Sequence, residues 1–143
     1  LLLVGGGPDE DVFVNQVKKL GVEDKVIFTG MVCPEDVGMY YQLGDLFVNF
    51  SVTETQGLTY IEALASGLPL LVKYDSNLEG VIESGYNGYS FTEDDEFIKL
   101  FNKIYSNPII FNEITNNSSK AITKFSAENY GKTVEDIYKK LLK

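Results

Sequence analysis

At 143 residues, with 44% hydrophobic and 23% charged side chains, the chain fits one globular domain with a real core that needs neither disulfides nor metal. A net charge of −9 argues against a nucleic-acid platform and against this domain docking on anionic lipid, both of which call for clustered Lys and Arg. Cys33 is the one cysteine and histidine is absent, which removes an internal bridge, the commonest general base and the commonest metal ligand; Cys33 reads as a packing or surface residue in a reducing cytoplasm.

Apolar strands alternate with amphipathic helices along the chain. Leu1–Val4 has the continuous apolar character of a buried strand, and a natural protein seldom starts inside one, so a piece of something longer is expected. Gly5-Gly6-Gly7-Pro8 follows, then Val12, Val14, Val17 and Leu20 on a helix ending at Gly21. Val26–Thr29 is predicted as the second strand, closed by Gly30. Pro34 opens a helix that ends at Gly44, and Leu46–Phe50 is the third strand. A helix over Leu58–Ser66, stopped by Gly67 and Pro69, precedes a strand at Leu70–Tyr74. A short helix at Leu78–Ser84 and a short strand at Tyr89–Phe91 come next. The remainder reads as helices over about Asp94–Tyr105, Pro108–Lys124 and Ala127–Leu142, with Asn116-Asn117-Ser118-Ser119 as the polar cluster able to interrupt one.

This alternation marks an α/β fold: a Rossmann-like, doubly wound parallel sheet with helices on both faces, in a single domain over residues 1–143 with extra helices at its carboxyl end. On the last helix Tyr130, Val134, Ile137, Tyr138 and Leu141 make one apolar stripe. It packs either on the domain's own sheet, the favoured reading, or against a domain outside this chain.

Three motifs fall where strands hand over to helices. Gly5-Gly6-Gly7 resembles the opening of a dinucleotide loop, but Glu10 stands where G-x-G-x-x-G needs its third glycine. A tight strand-to-helix turn explains the glycines equally well. Thr29-Gly30-Met31-Val32 ends a strand at the sheet's carboxyl edge, where its backbone could read a base edge or simply turn the chain. The third motif is the most informative. Glu54 and Glu62 are eight positions apart, the first in a polar loop after the Leu46–Phe50 strand and the second about one turn into the following helix. A helix start offers unpaired N–H groups and a positive dipole end to a phosphate, with an acid on each side to accept from hydroxyl groups. The implied ligand is an anion flanked by sugars, such as a nucleotide sugar. Each acid alone reads as well as a solvated or capping residue. Glu62, however, sits among Leu58, Ile61, Ala63, Leu64 and Ala65, where burial would demand a partner or a cleft. A glycosidase pair is the poorer chemical match, because one acid sits beside phosphate donors.

With Leu3-Val4-Gly5-Gly6-Gly7-Pro8, Val26-Ile27-Phe28-Thr29-Gly30, Asp45-Leu46-Phe47-Val48 and the E-x₇-E block Glu54–Glu62 in view, the chain resembles the donor-binding, carboxyl-terminal domain of retaining GT-B glycosyltransferases of the "glycosyl transferases group 1" family. The Lys73–Ile82 stretch is similar to bacterial enzymes that glucosylate diacylglycerol or make related surface glycans. The resemblance implies that Glu54 contacts the donor sugar near the reacting anomeric centre. It further implies that the amides of Gln56, Gly57, Leu58 and Thr59 hold sugar and diphosphate, and that Glu62 accepts from the ribose hydroxyls. Gly30, Met31 and Val32 then border the base, and Gly5, Gly6 and Gly7 the cleft floor. It implies no metal and no cofactor beyond the nucleotide-sugar donor, a UDP-sugar by the subfamily likeness. The family's Arg/Lys pair for the diphosphate and its acceptor-binding amino-terminal domain lie upstream of Leu1, so this piece alone is expected to be inactive. Partners implied are the nucleotide sugar and the missing domain, with no nucleic acid and any membrane contact made through that domain. The implied location is cytoplasmic, extending to peripheral attachment at the inner face of the membrane. The competing readings are a dinucleotide-dependent oxidoreductase domain and a flavodoxin-like binding module without catalysis.

Overall fold

The structure is a computed structural model and describes residues 1–53 and 57–142. It contains two compact units, Leu1–Gly44 and Asp45–Lys143.

In the first unit, strand β1 (Leu2–Leu3) pairs parallel with β2 (Ile27–Phe28), Leu2 opposite Ile27 and Leu3 opposite Phe28. Helix α1 (Glu10–Leu20) begins with Glu10 and Asp11 and ends with Lys18 and Lys19, charges that complement its dipole at both ends. It stops at Gly21, which is left-handed and returns its N–H to Lys18. A 3₁₀ turn over Pro34–Asp36 leads into α2 (Val37–Tyr41). No side chain of this unit is fully buried.

The second unit holds a three-stranded parallel sheet in the order β3 (Phe47–Asn49), β4 (Leu70–Lys73), β5 (Gly88–Phe91). As the central strand, β4 is buried on both faces at Leu70, Leu71 and Val72, which is why it reads as an unbroken apolar run. Leu71 joins Phe91, Ile104 and Ile114 in one core, flanked by Val48, Phe97 and Leu100. Helices α4 (Asp94–Tyr105) and α5 (Pro108–Ala121) supply Ile104 and Ile114. Helix α3 (Leu58–Ala65) buries Tyr60, Ala63 and Leu64, and the Tyr60 ring meets Phe47 edge to face at 5.5 Å. Helix α6 (Ala127–Leu141) ends the described chain.

The first four strands run two to four residues, each shorter than its apolar pattern, whereas the last begins one residue earlier than expected, at Gly88. Two expectations are overturned. The helix over 78–84 is absent: a 3₁₀ turn at Ser76–Leu78 gives way to extended backbone at Glu79 and a left-handed Gly80. There the buried Asn87 takes over the hydrogen bonding, its Oδ1 accepting from the Glu83 N–H at 2.8 Å and its Nδ2 donating to the Val81 carbonyl at 2.9 Å. The α6 stripe does not pack on the sheet: Tyr130, Ile137, Tyr138 and Leu141 are all more than half exposed. Helix α5 stops at Ala121, three residues before its expected end at Lys124, and the chain tightens into a 3₁₀ segment at Ile122–Phe125. Its polar cluster does not break it, because Ser118 Oγ bonds back to the Ile114 carbonyl at 2.8 Å.

Candidate functional site

In the second unit the chain leaves the carboxyl end of β3 through a side-chain turn, with Asn49 Oδ1 accepting from the Ser51 N–H at 2.7 Å. Glu54 and Gln56 lie outside the described residues. The chain is described again at Gly57, buried and left-handed at φ 60° and ψ 32°, which starts α3. The Gly57 carbonyl accepts from the N–H groups of both Tyr60 (3.1 Å) and Ile61 (3.2 Å), closing the first turn tightly. Among the described residues no side chain caps this helix start. Leu58 and Thr59, the next two residues, are exposed.

Glu62 is exposed as well. The burial cost that singled it out in the sequence therefore does not apply. Positions 58, 62 and 65 form the outward face of α3, and 60, 63 and 64 the inward one, so the apolar sequence around Glu62 is divided between the two. The carboxylate consequently stands one turn, about 5.4 Å along the axis, beyond the residues that open the helix and on their exposed side. Sequence pattern alone gave no role to Leu78, yet this buried side chain comes up against Gly57: a Cβ built on Gly57 would lie 2.9 Å from Leu78 Cδ2. The only local sign of it is one apolar residue in the polar turn Asp75-Ser76-Asn77.

In the first unit the structure brings together the glycine loop and the end of β2. The Gly5 N–H donates to Thr29 Oγ1 at 3.2 Å, and Gly5 bridges Gly30 in antiparallel fashion. The Met31 backbone nitrogen lies 3.1 Å from where a Gly6 Cβ would stand. A cleft of about 420 Å³ opens beside Gly5, Gly6 and Gly7, walled by Val4, Phe13 and Phe28. Met31 is largely exposed and Val32 half-buried. Glu10 reaches into the loop, with Oε2 3.2 Å from the Gly6 Cβ position. An acid thus fills the space where a dinucleotide's pyrophosphate would need a third glycine and a clear helix start. Among the described residues no group of three or more His, Cys, Asp or Glu side chains could hold a metal ion, and no helix is long and apolar enough to cross a membrane.

Parallel sheets with helices on both sides define a Rossmann-like α/β protein of the GT-B type. The Glycosyl transferases group 1 profile matches residues 1–124, and the chain belongs to that family. It is 36% identical over 141 residues to the alpha-monoglucosyldiacylglycerol synthase of Acholeplasma laidlawii, covering 99% of this chain and 35% of that protein. It is 35% identical over 139 residues to the enzyme of the same name from Streptococcus pneumoniae (strain ATCC BAA-255 / R6), covering 96% of this chain and 31% of that one. The chain thus spans about a third of the length of these curated relatives. Among solved structures, Anabaena Alr3699/HepE in complex with UDP and glucose superposes with a TM-score of 0.82 at 22% identity, over 97% of this chain and 40% of that one, a likeness of fold.

Proposed function

We propose that this chain is the donor-binding domain of a retaining, metal-independent hexosyltransferase of the cytoplasm, taking glucose from UDP-glucose and passing it to a lipid or cell-surface glycan acceptor. The observation that carries this reading is the start of α3: a helix that opens at a buried, left-handed Gly57, with Glu62 on its outward face one turn on. Amides at such a start suit a diphosphate, because the dipole and the N–H groups act in the same direction. In this reading Gly57, Leu58 and Thr59, with Gln56 before them, hold the diphosphate and sugar, and Glu62 accepts from the ribose. Gly30, Met31 and Val32 border the base, Gly5 to Gly7 form the cleft floor, and Glu54 lies against the sugar at its reacting carbon. The names of the two bacterial relatives support a glucosyl donor and a diacylglycerol-type acceptor.

The chemistry asks little of side chains. The bond from the anomeric carbon to the diphosphate oxygen breaks and a bond to the acceptor oxygen forms on the same face. The acceptor's proton passes to the departing diphosphate. Catalysis is then positioning together with stabilisation of the leaving group's growing charge. A helix dipole contributes only about 0.3–1 kcal/mol, up to about 2 when partly buried, so further cations and the acceptor contacts must come from outside this chain.

Calorimetry on the isolated chain tests both points. UDP and UDP-glucose are expected to bind more weakly than micromolar, ahead of ADP and GDP, with no sugar transfer. Equal binding of ADP, GDP and UDP would remove the uridine assignment. Micromolar affinity or turnover would show that the chain needs no outside residues.

A further inference from the structure

We propose that Leu78 is a positioning residue for the donor diphosphate, fixing the backbone at Gly57 so that the amides opening α3 keep the orientation in which they meet it. This rests on the reading of that helix start given above. Gly57 is buried and left-handed, a conformation that side-chain-bearing residues rarely adopt. Leu78 fills the space that a side chain on Gly57 would take, with Cδ2 2.9 Å from the Cβ position, while Tyr60 Cδ2 stands 3.5 Å from the same point. Gly57 is therefore held between two buried side chains, Leu78 at 1% exposure and Tyr60 at 0%.

Leu78 is itself firmly anchored. Its N–H donates to the Asp75 carbonyl at 3.0 Å, and its carbonyl accepts from Val81 (2.9 Å) and Ile82 (3.3 Å). The Asp75 carboxylate closes the turn by accepting from the Asn77 N–H at 2.9 Å. The loop after β4 thus sets where the Leu78 methyl groups stand. Because Tyr60 and Ile61 both bond to the Gly57 carbonyl, a rotation at Gly57 would turn the whole first turn of α3. A phosphate site made of main-chain amides has no long side chain to adjust for such a rotation, so misalignment passes directly into donor binding. Leu78 touches no ligand in this account and acts through Gly57 alone.

The test uses the full-length protein, with Leu78→Ala, Leu78→Met and, as a deletion in the Leu71–Phe91–Ile104 core and not against Gly57, Ile114→Ala. The Michaelis constant for the nucleotide sugar and the inhibition constant of UDP are expected to rise about tenfold in Leu78→Ala and to return within about twofold of wild type in Leu78→Met. Ile114→Ala, though thermally destabilised, is expected to keep both constants. Should Leu78→Ala not fold, Leu78→Val carries the same comparison. Equal effects of the Leu78 and Ile114 deletions on UDP, or none from Leu78, would overturn the inference. Wild-type protein that does not bind UDP would instead overturn the reading of the helix start, and that titration precedes any variant.

Discussion

Glu62 owes its place to the split character of α3. With Tyr60, Ala63 and Leu64 turned into the core, the helix phase leaves position 62 outward, on the side of Leu58. An exposed carboxylate has no buried charge to neutralise, so its worth to a ligand is that of a charge-assisted hydrogen bond in partly wet surroundings. That lies toward the lower end of about 1.5–3 kcal/mol, or about tenfold in affinity. In the full-length protein, Glu62→Gln is expected to raise the donor Michaelis constant about tenfold with the turnover number within about twofold. Initial-rate kinetics decide it, since a ribose contact made equally in ground and transition states moves one constant and spares the other. A fall in turnover at unchanged Michaelis constant would assign Glu62 to the reacting centre. The residue's position in the chain was plain from the E-x₇-E spacing, but its exposure was not. Local composition counted its apolar neighbours, whereas helix phase determined which of them share its face.

The helices were legible where their ends carry local chemistry, and α4 shows why. Its predicted span, Asp94–Tyr105, is the observed one. Asp94, Asp95 and Glu96 occupy the first turn and Lys103 the last. Glu96 reaches back past the N-cap residue Glu93 to Thr92, accepting from its N–H at 2.8 Å and from its hydroxyl at 3.1 Å, and so ties the first turn to the chain that enters it. The segment over 78–84 was misread because the spacing of its apolar residues does not register the side-chain hydrogen bonds that Asn87, just past its end, makes to the Glu83 and Val81 backbone. Gly88 shows a constraint that is long-range, since a Cβ there would overlap the Leu70 carbonyl of β4. The Glu96 contact makes a pH-dependent prediction. The Thr92 N–H, and next its hydroxyl, hold the Glu96 carboxyl below the ordinary glutamate range. A carboxyl whose folded value is lowered stabilises the fold above its unfolded value and loses that contribution as pH falls through the folded one. Urea melts of wild type and Glu96→Gln from neutral to about pH 3 are therefore expected to show a small wild-type advantage at neutral pH that shrinks below the usual carboxylate range. An advantage that stays constant across that interval would mean the charge plays no part in the contact.

At the scale of the whole chain, stability is divided unevenly. The second unit has a strand buried on both faces and a core of Leu71, Phe91, Ile104 and Ile114. The first has a two-stranded ladder, no fully buried side chain, and Val12, Phe13 and Ile27 all more than half exposed. Burial of apolar area at about 25 cal/mol per Å² is the main favourable term, so the first unit holds less of it against the same entropy per ordered residue. The composition-based expectation of one core gave no sign of this asymmetry, because both units have similarly apolar strands. The ladder amides offer a direct comparison. Ile27 donates to the Leu1 carbonyl at 2.9 Å and Thr29 to Leu3 at 3.1 Å in the first unit; Phe47 donates to Pro69 at 3.0 Å and Leu70 to Asn87 at 3.1 Å in the second. All four bonds have similar length, so any difference in protection reports how readily each unit opens and not the quality of the bond. Native-state hydrogen exchange is expected to show Ile27 and Thr29 exchanging roughly a hundredfold faster than Phe47 and Leu70, an opening energy lower by about 2.7 kcal/mol. Equal protection at the four amides would mean that the two units unfold together, and that the buried core at β4 supports the β1–β2 ladder as well as its own.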